Sequence, residues 1–239
     1  DTRMAAASLA VVAAAVATPS FEVLWNAPSY KCAGLRAAPL ADYDIIANPE
    51  DSFNGSAITI LYDSGDWPSL NASVNATPCW LSPGGKQPCS WNPWGQIAPL
   101  TNGGVPQVAN VSAHEARLSA IIQERIPSAS FAGVVIVDWE AWRPLTDEND
   151  DSLSCYTEYS RRLVRAVHPD WNDTAVAAAA AAAFDAGART FFEATVHTIR
   201  RLRPLARVGF YSQGINQDTT PSGEAADDKL LWLRSLVGC

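Results

Sequence analysis

Histidine is scarce in this 239-residue chain, which has only His114, His168 and His197. Their separations show no metal-ligand spacing, and we expect structural roles for them. The sequence also has no Ser-His-Asp arrangement and no phosphate-binding glycine loop, because Asn102-Gly103-Gly104 predicts only a turn. We therefore predict neither a metal site nor another cofactor.

Positive charge is scarce as well. The chain has 17 Lys and Arg residues against 25 Asp and Glu residues, which gives a formal net charge of −8. Proteins that bind nucleic acids usually present a surplus of basic side chains. The charge balance therefore argues against a nucleic-acid partner.

Long hydrophobic runs are absent beyond the first 17 residues. Residues 4–17 form an Ala/Val/Leu-rich run that ends in Ala15-Val16-Ala17, the pattern of a signal-peptide core with a small-residue cleavage site. This run is too short to span a bilayer, and a buried alanine-rich helix is the alternative. We expect residues 1–17 to be a signal-peptide-like segment and predict no transmembrane segment.

Five Asn-x-Ser/Thr sequons support passage through the secretory pathway. They begin at Asn54, Asn71, Asn75, Asn110 and Asn172. One sequon is weak evidence, but five together favour a glycosylated protein that is secreted or lysosomal.

The cysteines are odd in number, so at least one thiol is unpaired or has its partner elsewhere. They are Cys32, Cys79, Cys89, Cys155 and Cys239. Cys79 and Cys89 lie in a Pro/Gly/Trp-rich insertion, residues 75–99, and we predict a local disulfide between them.

The most informative stretch is 131–144, which reads FAGVVIVDWEAWRP. Its apolar, β-branched first half is typical of a strand buried on both faces. Asp138 and Glu140 follow, and on an extended backbone they project from the same face, about 6–7 Å apart. Trp139 and Trp142 could desolvate a carboxylic acid and raise its pKa, and Arg143 could hold its neighbour ionised. The alternative is that the two acids merely open a solvated loop.

Strand and helix patterns alternate along the chain and predict a parallel α/β fold, here a TIM-type barrel. Strands are predicted near 21–25, 57–62, 133–138 and 206–211, and helices near 111–126, 154–168 and 173–203. Ala177 to Ala183 resemble low complexity, but apolar residues continue from them at helical spacing, so we predict one long helix. We find no repeat or linker, and residues 18–239 are expected to form one domain of barrel size.

The stretch 131–144 resembles the central motif of the hyaluronidase family of glycoside hydrolases. Other segments resemble that family in the same order along the chain. They are 21–29 with Cys32, 53–62, Gly65-Asp66-Trp67-Pro68, 102–107 with His114, 156–160, His168-Pro169-Asp170-Trp171, Arg203-Pro204 and Gly209-Phe210-Tyr211. Together they extend from residue 21 to about residue 234.

The resemblance implies an endo-β-N-acetylhexosaminidase that hydrolyses β-1,4 bonds of hyaluronan, with chondroitin as a second glycosaminoglycan, by substrate-assisted retaining catalysis. Glu140 would be the general acid and then the base. Asp138 and Tyr211 would orient the acetamido group of the substrate and stabilise the charge that develops on it. Asn26, Tyr62, Trp142 and Arg143 are expected to bind substrate.

Each of these residues has a structural alternative. Asn26 would then cap a turn, Tyr62 would only pack, and Tyr211 would be a core tyrosine with a satisfied hydroxyl. A negatively charged chain also needs a locally neutral or basic groove, or an acid working pH, to accept a polyanion. Nothing in the sequence indicates an oligomeric state.

The C-terminal region departs from the family pattern. Residues 212–216 contain none of the cysteines expected there, and 227–235 resembles the helix that precedes further strands, so we expect a barrel that lacks its last strands. In the family, the cysteine that matches Cys32 bonds to a cysteine near the end of the catalytic domain. Here Cys239 is one alternative partner for Cys32, and a free Cys32 thiol is the other. The alternatives are a catalytically silent glycan-binding or partner-binding protein and a fragment without function. A chitinase-like hydrolase is a weaker third, because Val134 to Val137 replace the acids expected before its Asp-x-Glu motif.

Overall fold

The computed structural model describes residues 22–26, 40–52, 54–70, 100–150 and 153–211. Some predicted features lie outside these residues. They are the segment 1–17, the cysteines Cys32, Cys79, Cys89 and Cys239, the sequons at Asn71 and Asn75, and the segments 212–216 and 227–235.

The described residues form short strands and three α-helices. The strands are β1 (Val23–Trp25), β2 (Ile45–Ala47), β3 (Ile58–Leu61), β4 (Ser69–Leu70), β5 (Leu100–Thr101), β6 (Val134–Val137) and β7 (Arg207–Phe210). The helices are α1 (Val111–Arg125), α2 (Ser154–Val167) and α3 (Asp173–Leu202). Single 3-10 turns occupy Leu40–Tyr43, Pro49–Asp51, Pro106–Val108 and Thr146–Glu148.

The central feature is a parallel sheet in the order β3-β6-β7. Its register aligns Leu61 with Val137 and Val137 with Phe210. Val135 and Val137 of β6 are fully buried, whereas Val134 and Ile136 are half-buried. The strand is therefore buried on one face only, whereas the sequence predicts burial on both faces. Two smaller sheets accompany it, the parallel pair β1-β2 and the antiparallel pair β4-β5.

The predicted long helix is present as α3, which has 30 residues and packs on both α1 and α2. Its first turn is capped by Asn172, whose side chain accepts a hydrogen bond from the N–H of Ala175. Its buried residues recur three or four positions apart, the period of a helix with one apolar face. At Gly187 an added Cβ would lie 2.6 Å from the backbone N of Gln107, so only glycine allows this close approach.

Beneath the sheet, α3 and the loops around it bury a cluster of rings. Its members are Trp67, His114, Trp142, Phe184, Phe191 and Phe192, with neighbouring centroids 4.7–5.9 Å apart. Such aromatic pairs contribute about 0.5–1.5 kcal/mol each beyond the area that they bury. The cluster lies directly under the loop that follows β6, because Trp142 belongs to both.

The ends of α1 and α3 are joined by Arg203, which is 6% exposed. Its Nε donates a hydrogen bond to the Ile126 carbonyl oxygen at 2.6 Å, and its Nη1 donates to the Leu202 carbonyl oxygen at 2.6 Å. Carbonyl groups at a helix C-terminus lack partners within the helix. One buried guanidinium therefore satisfies carbonyls at the ends of two helices.

Among the described helices, none is long and apolar enough to cross a lipid bilayer.

Candidate active site

Three candidate residues occupy one row at the carboxyl edge of the central sheet. Tyr62, Asp138 and Tyr211 each follow the last residue of β3, β6 and β7. The parallel ladder continues to this row, since the Asp138 N–H donates to the Leu61 carbonyl at 3.0 Å and the Tyr211 N–H donates to the Val137 carbonyl at 2.9 Å. Neighbouring strands are about 4.8 Å apart, and residues in register project from the same face. The sheet thus places one acid between two phenols.

Both phenols are accessible in this arrangement. The exposed fraction is 62% for Tyr62 and 54% for Tyr211, which places both among the exposed large hydrophobic residues of the described ranges. A tyrosine that only packs would bury its ring, so these positions suit contact with a ligand better than a core role.

Asp138 and Glu140 form an interacting pair of acids. Asp138 is half-buried and Glu140 is exposed. The pKa of Asp138 is raised above its ordinary value of 3.8, first by burial and second by the negative charge of Glu140. The second cause shows that the two carboxylates are close enough to influence each other, as the spacing of two residues predicts.

Trp139, between the two acids, stacks on Trp67 with a centroid distance of 5.1 Å and an interplanar angle of 12°. Trp67 is itself fixed, because its Nε1–H donates to the Ser64 carbonyl at 3.1 Å and the Ser64 Oγ at 2.9 Å. The indole between the acids therefore rests on a buried and hydrogen-bonded partner.

The structure does not place Trp142 at the surface. Its exposed fraction is 0%, and its Nε1–H donates to the Pro68 carbonyl at 2.7 Å. A side chain in that position supports the loop from below and does not contact a ligand. We therefore correct the sequence prediction for Trp142 from substrate binding to packing.

Arg143 lies in the loop after Glu140 and is half-buried. Its Nη1 is buried and has no hydrogen-bond partner among the residues that the structure describes. A guanidinium nitrogen is a hydrogen-bond donor, and leaving it unpaired in a buried position is costly.

Asn26 lies directly after β1 and is half-buried, with its Oδ1 buried and without a hydrogen-bond partner in the described part of the chain. At the other end of β1, the Glu22 carboxylate pairs with the Arg207 guanidinium at 2.5 Å, so β1 begins where β7 begins. Asn26 and Tyr211 thus lie directly after the carboxyl ends of β1 and β7, and the Glu22–Arg207 ion pair links the amino ends of the same two strands. Among the described residues, none donates a hydrogen bond to the Asn26 Oδ1 that would support the turn-capping alternative.

The histidines have positions outside this row. His114 is fully buried, its Nε2 lies 2.8 Å from the Thr195 Oγ1, and burial lowers its pKa to about 4. His168 stacks on Trp171, and His197 is exposed on α3. Within the described ranges, no group of three His, Cys, Asp or Glu residues could hold a metal ion.

The sequons within the described residues begin at exposed asparagines, Asn54, Asn110 and Asn172. Asn110 and Asn172 are also N-caps of α1 and α3, and each uses only its Oδ1 as an acceptor. Attachment of a glycan to the amide nitrogen is compatible with this capping bond.

Two residues that hold the Glu140 loop were not predicted from the sequence. These are Asn149 within the loop and Asp185 on α3, which bind loop backbone groups. One sequence signal was available for Asp185, because it interrupts an apolar helical face directly after Phe184. For Asn149 the sequence offers no signal beyond an amide in a polar loop.

Paired carboxylates at the carboxyl edge of a parallel α/β sheet are an arrangement that barrel-type glycoside hydrolases use. Comparison with known proteins agrees: the hyaluronidase family model matches residues 93–221. The chain belongs to the hyaluronidase family.

Individual relatives give the same result. The chain is 33% identical over 225 residues to a hyaluronidase of Apis mellifera and 33% identical over 228 residues to hyaluronidase-1 of Homo sapiens. Each match covers 89% of this chain, with 54% and 47% of the two relatives. The chain therefore spans about half the length of these curated relatives.

A solved structure matches over most of the chain. Bee venom hyaluronidase in complex with a hyaluronic acid tetramer gives a TM-score of 0.74 at 32% identity, over 91% of this chain and 65% of that one. The predicted family and the α/β barrel fold class are confirmed. The described residues contain three adjacent parallel strands of such a barrel rather than a closed ring.

Proposed function

We propose that this chain carries the catalytic edge of a glycoside hydrolase that cleaves β-1,4 bonds of hyaluronan, with chondroitin as a second glycosaminoglycan substrate. One observation carries this proposal: Asp138 and Glu140 follow the central strand, in a row with Tyr62 and Tyr211, in a chain that belongs to the hyaluronidase family. The bound hyaluronic acid tetramer in the matching bee venom structure supports this substrate class.

The proposed reaction is substrate-assisted and retains configuration at the anomeric carbon. Glu140, the exposed acid, donates a proton to the leaving glycosidic oxygen while the acetamido carbonyl of the substrate attacks the anomeric carbon. Glu140 then removes a proton from the water that opens the cyclic intermediate.

Asp138 and Tyr211 hold the acetamido group in this proposal. Asp138 accepts the acetamido N–H and stabilises the positive charge of the cyclic intermediate, and the exposed Tyr211 hydroxyl donates to the acetamido oxygen. Asn26 and Tyr62 contact the sugar at the ends of β1 and β3. Arg143, which is half-buried three residues after Glu140, places a positive charge near a substrate carboxylate in this proposal.

The test is the release of reducing ends from hyaluronan by the purified chain between about pH 4 and 7, beside the variant Glu140→Gln. We expect turnover by the parent and a loss of at least about 10²-fold in the variant, since general acid catalysis contributes about 10²–10⁴-fold. Circular dichroism and thermal melting should give the same result for both proteins, because Glu140 is exposed.

A folded parent without turnover would contradict the proposal, and equal turnover by both proteins would remove Glu140 from its role. A second candidate function is then glycan binding without hydrolysis. It is favoured by the sequence of residues 212–216, which departs from the family where distal substrate contacts are expected. Titration of the parent with hyaluronan oligosaccharides distinguishes binding from an absence of interaction.

We also propose that the chain enters the secretory pathway and is secreted or lysosomal. Residues 1–17 would act as a signal peptide, and residues 18–239 would form the barrel domain. Exposure of Asn54, Asn110 and Asn172 supports glycosylation at these positions. Mass spectrometry of the protein from a eukaryotic host should find an N-terminus near residue 18 and glycans on these asparagines, and an unmodified chain in the medium would contradict the glycosylation.

A further inference from the structure

The loop that carries Glu140 and Arg143 has no regular secondary structure before its single turn at Thr146–Glu148. Backbone in such a loop is held in one conformation only by specific contacts. Catalysis depends on that conformation, because a displacement of about 1 Å in a catalytic group can cost about 10²-fold in rate. The contacts of this loop therefore decide where the Glu140 carboxylate lies.

Asn149 closes the loop on itself. Its Oδ1 accepts the Arg143 N–H at 2.7 Å, and its Nδ2 donates to the Arg143 carbonyl at 2.9 Å and to the Leu145 carbonyl at 2.7 Å. The side chain is 3% exposed. It therefore supplies one acceptor and two donors to the loop backbone, a combination that an aspartate of the same shape lacks.

Asp185 attaches the closed loop to α3. Its Oδ1 accepts both the backbone N–H and the Oγ1–H of Thr146, each at 2.7 Å. Hydrogen bonds to a carboxylate are about twice as strong as bonds between neutral groups. Because α3 is the longest described helix and is packed into the core, it provides a rigid base for this attachment.

We propose that Asn149 and Asp185 are positioning residues for the reaction: together they fix the loop that presents Glu140 and Arg143 to the substrate. The inference rests on the proposed function for its catalytic part. Neither residue touches the carboxylate pair, so both act through the backbone of residues 143–146.

Three variants of the two positioning residues and one control variant test this inference. Asn149→Asp keeps shape and acceptor but removes both donors and sets a carboxylate against two carbonyl oxygens. Asp185→Ala removes the attachment, whereas Asp185→Asn retains an oxygen that can accept both Thr146 bonds and serves as the conservative rescue. Glu193→Ala is the matched control, because Glu193 is also an acid on α3 and its ion pair with Arg189 lies on the surface.

Two measurements are made on each full-length variant. The first is kcat and KM for hyaluronan at a temperature at which melting curves show the variant to be fully folded. The second is amide hydrogen exchange of peptides that cover 139–149, compared with peptides from α1 and β6. Exchange needs no activity, so it tests the attachment of the loop separately from the proposed function.

We expect kcat to fall about 10–10²-fold in Asn149→Asp and Asp185→Ala with KM changed by less than about 2-fold, and exchange to accelerate in 139–149 alone. Asp185→Asn and Glu193→Ala should stay within about 2-fold of the parent. Faster local exchange with unchanged kcat would overturn the positioning role. Unchanged exchange, or faster exchange throughout α1 and β6, would overturn the attachment itself. An inactive parent would contradict the proposed function, and exchange would still decide the attachment.

Discussion

At the scale of single residues, Asp138 combines a functional position with an unfavourable environment. Burial and the Glu140 charge both oppose its ionisation and raise its pKa above 3.8. The folded state therefore binds this proton more tightly than the unfolded state does. Its contribution to stability is fully present below the ordinary pKa and is lost as the pH rises through the folded pKa.

Because the folded state raises the Asp138 pKa, the variant Asp138→Asn should change stability in a pH-dependent way. An amide has no charge to desolvate, so the variant should gain stability relative to the parent at pH 7 and show no such gain at pH 3. Urea unfolding at the two pH values measures the difference. Hydrolysis should be lost in the same variant, and a variant that is less stable than the parent at pH 7 would contradict the argument.

Trp142 shows why some site residues cannot be assigned from sequence. A tryptophan four positions after Asp138 has the same local pattern whether it faces a ligand or the core. Its burial is decided by Phe184 and Phe192 of α3, about 40 to 50 residues further along the chain. Asp185 escaped prediction for the same reason, since its partner Thr146 lies 39 residues away in the sequence. The Asn149 side chain binds within its own loop, and no periodic pattern marks a residue of that kind.

At the scale of elements, prediction succeeded where the signals are local. The strand β6 and the single long α3 are as predicted, because β-branched runs, helical spacing and N-caps act within a few residues. The predicted burial of β6 on both faces is wrong for one face, on which Val134 and Ile136 are only half-buried. The strands β2, β4 and β5 were missed. Each has only two or three residues, which is too few to show the alternation of apolar and polar residues that marks a strand. These strands form because they hydrogen-bond to a partner strand.

Arg203 offers a stability test at this scale. Replacement by methionine keeps the aliphatic stem but leaves buried carbonyls of α1 and α3 without their donor. We expect a loss of about 1–3 kcal/mol in the free energy of unfolding, the cost of unsatisfied buried polar groups. Denaturant unfolding of Arg203→Met measures it, with the exposed Arg201→Met as the matched control, which should change stability by less than about 0.5 kcal/mol. If Arg203→Met and Arg201→Met lowered the free energy of unfolding equally, the loss would come from the removed positive charge and not from the unpaired carbonyls.

At the scale of the whole molecule, the buried His114 links stability to acidity. Its pKa is lowered from 6.5 to about 4 by burial, so the unfolded state binds the proton more tightly. A lowered histidine pKa contributes stability that is present above pH 6.5 and is lost as the pH falls toward 4. The shift corresponds to about 3 kcal/mol.

We therefore expect the free energy of unfolding to decrease by up to about 3 kcal/mol between pH 7 and pH 4 through this one residue. His114→Gln keeps a hydrogen-bonding group near Thr195 but cannot titrate. Its unfolding free energy should be lower than that of the parent at pH 7 and should depend less on pH across this window. An unchanged slope would show that other groups govern the acid response.

The row of Tyr62, Asp138 and Tyr211 has a consequence for how the protein acquires its activity. The three residues are separated by 76 and 73 positions, since 138 − 62 = 76 and 211 − 138 = 73, and they meet only when β3, β6 and β7 have paired. During synthesis from the N-terminus, β6 can pair with β3 long before β7 leaves the ribosome. The nascent chain therefore cannot present the complete row before β7 docks, and for the function proposed above no hydrolysis can precede that step.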